Sequence, residues 1–345
     1  MSKTYTGFIG SYTKKNSEGI YRFTLDTEEK KITNVEVAAE LNNPTYLTIS
    51  RNNEYLYAVS QVGDRGGIAA FAIKNGMLEQ LNSELTDGAP PCHVSVDSEN
   101  RLVVSANYHT TLVEAFLTNE DGSVQAPKSV AHEGSGPHER QEKPHLHFAG
   151  FTPDEKFVVV VDLGSDTITT YQPNGDELEE VSVLKVKAGS GPRHLAFHPT
   201  APYAYVMTEL SNEVIVLKFD AQAGTFEEVQ YISTIPEDFT ENNQGSAIHL
   251  SSDGKFVYVG NRGHDSIAVF RVAEDYTVEL VEWTHTEGNW PRDFVLDPSE
   301  RFIVAANQES GTLALFERDA ESGQLTLLQK DVEAPEAVCV KFLHE

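Results

Sequence analysis

Residues 191–210 read GPRHLAFHPTAPYAYVMTEL, and units of this type recur along the whole chain. Leu195 and Phe197 alternate with other residues, a proline-containing turn follows, and a run rich in Tyr and Val ends at Thr208-Glu209. Alternation with a period of two on both sides of a turn predicts two antiparallel strands joined as a hairpin.

Each unit begins at an entry point, which is usually a proline just before the first strand. The entry points are Pro44, Pro91, Pro144, Pro192, Gly245, Pro291 and Pro335. Successive entry points lie 44 to 53 residues apart, which is the length of a four-stranded propeller blade. Each unit is therefore expected to supply strands A, B, C and D of one blade.

The two ends of the chain are complementary. Only residues 337–342 are expected to form a strand after the last entry point, whereas three strands, at 6–10, 19–25 and 32–38, precede the first. Together they complete a seventh blade, which closes the ring and leaves no free edge strand. The sequence therefore predicts an all-β, seven-bladed β-propeller with four antiparallel strands per blade, and residues 1–345 as a single domain.

Two segments interrupt the repeat. Ala131–Lys143 and Pro236–Gly245 are longer than tight turns and are predicted to be loops from strand D of one blade to strand A of the next. Long loops are more often functional than short connections. In the second unit, the pattern for strand D is weak, and this strand is expected around Val124.

Composition restricts the class of protein. A net charge of −27 argues against a nucleic-acid partner, because binding phosphates needs clustered Lys and Arg. No apolar run approaches the roughly 20 residues that span a bilayer, so no membrane partner is expected. The N-terminal residues lack the apolar core of a signal peptide, which predicts a cytoplasmic protein. Cys92 and Cys339 are expected to be free thiols, and the protein is expected to be a monomer or a homodimer.

One rim of the propeller is expected to carry the site, because strand A begins and strand B ends at the same face. The last residue of strand B is small and polar in every unit, which is typical of a turn cap: Ser11, Ser60, Asn107, Asp162, Thr208, Asn261 and Asn307. The next position differs chemically between units: Tyr12, Gln61, Tyr108, Leu163, Glu209, Arg262 and Gln308. The first position of strand A varies too: Thr45, Cys92, His147, Arg193, Ser246 and Arg292.

Chemical variety at equivalent positions is what a single site built from several blades requires. The candidate catalytic residues come from three consecutive blades and are His145, His147, Arg193, Glu209 and Arg262. A carboxylate or an imidazole beside a water acts as a general base, and an Arg holds an anionic substrate or a developing oxyanion. The candidate substrate-binding residues are Asn107, Tyr108, His194, Asn261 and Gln308.

The charged candidates also have structural interpretations. Glu209 and Arg193 could form a salt bridge that only ties neighbouring strands together. Arg262 could belong to an exposed salt bridge, which contributes about 0–1 kcal/mol. In that case, removing Arg262 would leave the activity intact.

The histidines have alternatives as well. His145 and His147 could be half of a metal site, but no third ligand stands at a recognisable spacing, so no metal and no cofactor are predicted. His194 shares its position in the repeat with His93, which favours a hydrogen bond at the strand entry. The chain lacks the motifs of a Ser or Cys nucleophile, so covalent catalysis is not indicated.

Over essentially its full length the chain resembles the lactonase propeller family, whose bacterial members include propeller-type 6-phosphogluconolactonases and whose fungal relatives include a 3-carboxymuconate-lactonising enzyme. The matching stretches are Gly7-Phe8-Ile9-Gly10-Ser11-Tyr12-Thr13, Ser105-Ala106-Asn107-Tyr108, Arg140-Gln141-Glu142-Lys143-Pro144-His145-Leu146-His147, Asp162-Leu163-Gly164-Ser165-Asp166, Gly191-Pro192-Arg193-His194, Glu209-Leu210 and Gly260-Asn261-Arg262-Gly263-His264-Asp265-Ser266. The resemblance implies a cleft on one face in which a His, two Arg and a Glu act on a lactone. By motif, these roles fall on His145 or His147, Arg193, Glu209 and Arg262.

The expected function is metal-independent hydrolysis of a sugar-acid lactone. The favoured substrate is 6-phosphogluconolactone of the pentose phosphate pathway. Glu209 or a His of the 145/147 pair would activate the water, and Arg193 and Arg262 would bind the phosphate and stabilise the oxyanion. The partner is thus a small phosphorylated or carboxylated lactone. Two alternatives stay open, namely a cycloisomerase that closes a muconate-type dicarboxylate and a non-catalytic propeller that binds a protein.

Overall fold

The structure is a computed structural model that describes residues 3–345. Regular secondary structure in this range consists of 28 β-strands, which form seven four-stranded sheets. No segment of residues 3–345 forms a helix with the length and apolarity needed to cross a membrane. The predicted seven blades of four antiparallel strands are confirmed.

Blades are numbered from the first complete unit, and each runs from an inner to an outer strand. Blade 1 contains β4 (Leu47–Ile49), β5 (Tyr55–Val62), β6 (Arg65–Lys74) and β7 (Met77–Asp87). Blade 2 contains β8 (His93–Val96), β9 (Leu102–Ala106), β10 (Leu112–Leu117) and β11 (Lys128–Ala131). Blade 3 contains β12 (Leu146–Phe151), β13 (Val158–Asp162), β14 (Thr167–Asn174) and β15 (Glu177–Lys185). Blade 4 contains β16 (Pro192–Phe197), β17 (Tyr203–Thr208), β18 (Glu213–Asp220) and β19 (Thr225–Ser233).

The remaining blades follow the same plan. Blade 5 contains β20 (Gln244–Leu250), β21 (Phe256–Arg262), β22 (Ser266–Val272) and β23 (Val278–His285). Blade 6 contains β24 (Pro291–Leu296), β25 (Phe302–Asn307), β26 (Thr312–Arg318) and β27 (Leu325–Glu333). Blade 7 joins the C-terminal β28 (Ala337–Phe342) to β1 (Thr4–Ser11), β2 (Gly19–Asp26) and β3 (Lys31–Glu40). The predicted ring closure by the two ends of the chain is therefore confirmed.

The core is divided among the junctions between blades. Seven buried clusters lie one at each junction, because both faces of every sheet are covered by its neighbours. Buried tyrosines of strand B reinforce three of these junctions by donating to a carbonyl in the C–D turn of the next blade. The pairs are Tyr57 to Gly122 at 3.1 Å, Tyr205 to Tyr276 at 3.1 Å and Tyr258 to Gly323 at 2.9 Å.

Strand D of blade 2 was expected around Val124, and this prediction is wrong. The strand is β11, and Val124 makes only an isolated bridge to Thr118. The cause is Asn82 of blade 1, whose side-chain amide pairs with both the N–H and the carbonyl of Val124, at 3.0 and 2.7 Å. The backbone of Val124 is therefore held by the neighbouring blade rather than by its own sheet.

A bulge at the start of strand A prepares the site. The register between strands A and B shifts so that one residue has no partner in the ladder: His147 in blade 3, Arg193 in blade 4 and Arg292 in blade 6. A bulge twists the strand and changes the direction of a side chain. The variable first position of strand A is thus outside the regular pleat in these three blades.

The predicted turn caps at the end of strand B are confirmed in three blades. The Asn107 side chain accepts from the N–H groups of residues 109 and 110, and Asp162 does the same for residues 164 and 165. The Thr208 hydroxyl accepts from the N–H of Glu213 at 2.7 Å. In contrast, the Ser60 hydroxyl has no partner among residues 3–345.

Candidate active site

A cleft of about 520 Å³ opens on the rim where the A strands begin and the B strands end. Four cationic side chains and a single carboxylate line it, although the whole chain carries a net charge of −27. The lining residues that can bind or react with a ligand are Tyr12, Lys14, Tyr108, His109, Arg140, His147, Glu209, Arg262 and Arg292. The cleft is therefore suited to an anion, as the local arrangement of Arg side chains predicted.

Glu209 is the centre of the site. Its carboxylate is 2% exposed and accepts from three guanidinium groups. Arg193 Nε lies 3.0 Å and Arg262 Nη2 lies 2.8 Å from Oε2, while Arg140 Nη2 lies 2.5 Å from Oε1. Charge-assisted pairs of this kind are strong and fix geometry. The structure thus brings Glu209, Arg193 and Arg262 together.

The electrostatics keep Glu209 ionised. Burial alone would raise the pKa of this carboxyl group, but the charges of Arg262 and Arg193, together with that of Arg140, outweigh it and hold the pKa well below its usual range. Burial lowers the pKa of Arg262. Because Arg262 is only 4% exposed, the interpretation of this residue as part of an exposed salt bridge is wrong.

Arg262 retains hydrogen-bonding capacity. Nη2 donates to the carbonyl of Gly245 at 2.7 Å in addition to Glu209. Nε is buried without a partner among residues 3–345. A buried donor that finds no acceptor costs about 1–3 kcal/mol, so an acceptor that reached Nε would stabilise this guanidinium group.

His147 also lies at the cleft. Its Nε2 is 3.8 Å from Glu209 Oε2, and its Nδ1 is 3.6 Å from the Sγ of Cys92. Burial and the charge of Arg193 lower the pKa of His147 well below the usual value. The imidazole is therefore neutral at physiological pH and offers a nitrogen lone pair at the cleft, and the same environment makes it a weaker base than an exposed histidine.

His145 occupies a different environment. Its Nδ1 is 2.8 Å from the backbone oxygen of Tyr108 and its Nε2 is 3.1 Å from Glu142 Oε1. Its ring stacks on Tyr108 with centroids 4.1 Å apart. The structure therefore brings His145 to Tyr108 rather than to Glu209, and both ring nitrogens are occupied.

Arg140 is a site residue to which the sequence analysis assigned no role. It lies in the loop after β11, where Gln141 is fully buried and donates to Leu163 O and Asp166 Oδ1, both at 2.8 Å. This anchor holds Arg140 over the cleft, where Nη2 also lies 3.3 Å from the hydroxyl of Tyr108. The length of the loop and the presence of an Arg in it were the available signals.

Most of the predicted substrate-binding residues lie away from the cleft wall. Asn107 and Asn261 are buried and bind backbone and side-chain groups of the turns, so the structure does not bring them to the cleft wall. Gln308 accepts from Nη1 of Arg292 at 3.3 Å. His194 lies against Arg193 Nη1 at 3.3 Å and lines a separate cavity near the axis with His93. Among the predicted binding residues, Tyr108 is the one that lines the cleft.

The two cysteines lie in different environments. Cys92 is half-buried at the cleft and Cys339 is buried, and both are free, as predicted. Burial raises the pKa of each thiol to about 12. Within residues 3–345, no group of three or more His, Cys, Asp or Glu side chains is arranged to hold a metal ion.

Comparisons with known proteins agree on one family. A family profile described as "Lactonase, 7-bladed beta-propeller" matches residues 6–342. A curated Bacillus subtilis (strain 168) protein named 6-phosphogluconolactonase is 56% identical over 346 residues, with 99% of each chain covered. A solved structure from Lactobacillus plantarum is 44% identical with a TM-score of 0.97 and covers 99% of this chain and 100% of its own. The periplasmic gluconolactonase of Pseudomonas aeruginosa is 29% identical with a TM-score of 0.94, and 99% of each chain is covered.

Proposed function

The chain belongs to the seven-bladed β-propeller lactonase family, and from this membership we propose that it hydrolyses 6-phosphogluconolactone to 6-phosphogluconate in the pentose phosphate pathway. One observation carries the proposal at the level of the site. A buried carboxylate, Glu209, gathers three guanidinium groups at a cationic cleft, and one of them, Arg262, has an unused donor. This arrangement suits an electrophilic carbonyl that becomes an oxyanion.

His147 is the general base in this proposal. Both Glu209 oxygens already accept from guanidinium groups, and these positive charges make the carboxylate a poor proton acceptor. His147 is neutral and lines the cleft 3.8 Å from Glu209. A water in contact with both groups would be oriented by the carboxylate and deprotonated by the imidazole.

The reaction then needs no covalent intermediate with the protein. The water oxygen forms a bond to the lactone carbonyl carbon as His147 takes its proton, and the carbonyl oxygen becomes an oxyanion beside Arg262. When the bond from this carbon to the ring oxygen breaks, the imidazolium returns the proton to the ring oxygen. The new carboxylic acid loses its proton to solvent, so one water is consumed and no oxidant or reductant is required.

The remaining residues position these groups. Arg193 is enclosed: Nε binds Glu209 and Nη1 donates to Ser246 O at 2.7 Å, so it holds Glu209 in place. Arg140 closes the other side of the carboxylate, and His145 supports Tyr108 through their stacked rings. The phosphate contact that the sequence analysis expected of Arg193 has no support in this geometry.

The other functions weighed from the sequence are not favoured. The comparisons point to lactone hydrolysis rather than to a muconate cycloisomerase or a non-catalytic binding propeller. We also place the reaction in the cytoplasm, because a phosphorylated sugar acid carries charges that do not cross a bilayer unaided. The monomeric or homodimeric state and the absence of nucleic-acid and membrane partners stay predictions.

Replacing His147 by Gln is expected to lower kcat for 6-phosphogluconolactone by roughly a hundred- to a thousandfold, which is the contribution of a general base. Because the pKa of His147 lies well below 6.5, kcat/KM of the wild type should stay level as the pH falls through 6.5. The decline should begin only at lower pH, where the imidazole gains its proton. Initial rates between pH 5 and 8, corrected for spontaneous opening, measure both effects.

The matched control is His285→Gln, which makes the same change at an exposed position at the end of β23. It should leave the rate within about twofold. The role of His147 would be overturned if kcat/KM of the wild type fell by half near pH 6.5. It would also be overturned if kcat of the His147→Gln enzyme stayed within tenfold of the wild-type value.

A further inference from the structure

A second cationic group lies in the cleft apart from the Glu209 cluster. It consists of Lys14 and Arg292, which both lie over the ring of Tyr12. Lys14 Nζ is 4.2 Å and Arg292 Cζ is 5.3 Å from the ring centroid. All three side chains line the cleft.

Neither cation is neutralised by the protein. Among the described residues that line the cleft, Glu209 is the only carboxylate, and its ion pairs are with Arg140, Arg193 and Arg262. In the part of the chain that the structure describes, no salt bridge involves Lys14 or Arg292, although the chain contains 53 Asp and Glu residues. Two positive charges therefore face the cleft without an anion.

The protein holds both residues in place. The carboxylate of Glu336, 8% exposed, accepts from four successive backbone N–H groups of residues 14–17 at 2.9 to 3.3 Å. This contact fixes the loop that carries Lys14. Arg292 occupies the bulge of β24 and donates to Gln308 Oε1 at 3.3 Å. The backbone that carries Lys14 and the side chain of Arg292 are thus positioned on the rim before any ligand arrives.

We propose that Lys14 and Arg292 form the subsite that binds the phosphate of the lactone substrate and selects phosphorylated over unphosphorylated lactones. The inference rests on the proposed function. A phosphate dianion matches the two unpaired charges, and the planar fork of an Arg together with the point charge of a Lys is a common pair of phosphate ligands. Because Arg262, His147 and Glu209 line the same cleft, we expect the carbonyl end of a substrate bound in this way to lie towards the Glu209 cluster.

The test compares two lactones that differ only in the phosphate. Lys14→Gln and Arg292→Gln should each lower kcat/KM for 6-phosphogluconolactone by roughly ten- to a hundredfold, mostly through KM. For unphosphorylated gluconolactone the same variants should lose about threefold or less. Lys15→Gln is the matched control, because it removes the same charge from the next, exposed residue of the same loop, and it should preserve the preference for the phosphorylated lactone.

Equal losses of kcat/KM on both lactones would mean that Lys14 and Arg292 act in the reaction itself, which would overturn the inference. The inference would also fail if neither variant lost activity on 6-phosphogluconolactone. A binding measurement separates this from a failure of the proposed function. Isothermal titration of the wild type should show tighter binding of 6-phosphogluconate than of gluconate, and this difference should shrink in both variants. If neither lactone is turned over, the titration alone tests the phosphate subsite. A difference in affinity between 6-phosphogluconate and gluconate that is the same in the variants as in the wild type would reject the subsite.

Discussion

Glu209→Gln is expected to lower kcat/KM for 6-phosphogluconolactone by about a thousandfold. An amide presents one acceptor and one donor group, so its NH2 would face guanidinium N–H groups that now share the carboxylate. Removing the single negative charge also leaves three guanidinium groups without compensation at a site where Glu209 is 2% exposed. Breaking a buried ion pair in this way costs about 3–5 kcal/mol of folding stability.

Two companion variants separate chemistry from folding. Glu209→Asp keeps the charge, so it should fold like the wild type by circular dichroism and thermal unfolding while losing roughly a hundredfold in kcat, because the shorter side chain displaces the guanidinium groups. Glu139→Gln changes an exposed residue next to Arg140 and should be neutral. A folded Glu209→Gln enzyme with more than a tenth of the wild-type activity would contradict the role of Glu209.

The second large effect is expected at Arg262. Arg262→Lys should lower kcat by roughly a hundredfold or more with a smaller change in KM, because the oxyanion forms only in the transition state. The substitution keeps the positive charge, but a Lys cannot bind Glu209, the carbonyl of Gly245 and a substrate oxygen with the same fixed geometry. Steady-state rates with 6-phosphogluconolactone measure the effect.

The same change elsewhere in blade 5 supplies the control. Arg271 is an exposed residue of β22, and Arg271→Lys should leave both kcat and stability unchanged within about twofold. An Arg262→Lys enzyme that loses less than fivefold in kcat would show that Arg262 only supports Glu209. In that case the oxyanion would need another donor in the cleft.

The ring of seven blades could be predicted from sequence because the strand and turn patterns that specify a blade are local and recur along the chain. Each entry point precedes two strands in which apolar and polar residues alternate visibly in this sequence. One strand at the C-terminus and three at the N-terminus are left over, and they can only be completed by pairing with each other. The predicted bounds of the four strands at the chain ends, 6–10, 19–25, 32–38 and 337–342, agree with the structure within two residues. Strand D of blade 2 escaped prediction because Asn82, which is distant in sequence, holds the backbone of Val124.

The site was predictable where it follows the repeat. Glu209 and Arg262 stand at equivalent positions of the repeat, at the end of strand B, and His147 and Arg193 stand at the bulged start of strand A, so comparison of the blades brought them together as candidates. Arg140 could not be found in this way, because it lies on a loop without an equivalent in other blades and its position depends on the buried anchor Gln141.

The remaining differences between the predicted and the observed site arise from contacts that the repeat pattern of the sequence does not reveal. His145 lies two residues from His147, but its nitrogens bind Tyr108 and Glu142 instead of facing the cleft. Arg292 was part of the variable position of strand A but was not assigned to the site. Its significance depends on the absence of a carboxylate partner in the described structure, which only three-dimensional contacts reveal.

The most direct test of the account is the initial rate of opening of freshly generated 6-phosphogluconolactone by the wild type, corrected for its spontaneous hydrolysis and measured with and without EDTA. We predict rapid turnover that is the same with chelator and that yields 6-phosphogluconate. A rate no greater than the spontaneous one, with muconate-type dicarboxylates or other lactones converted instead, would contradict the proposed substrate.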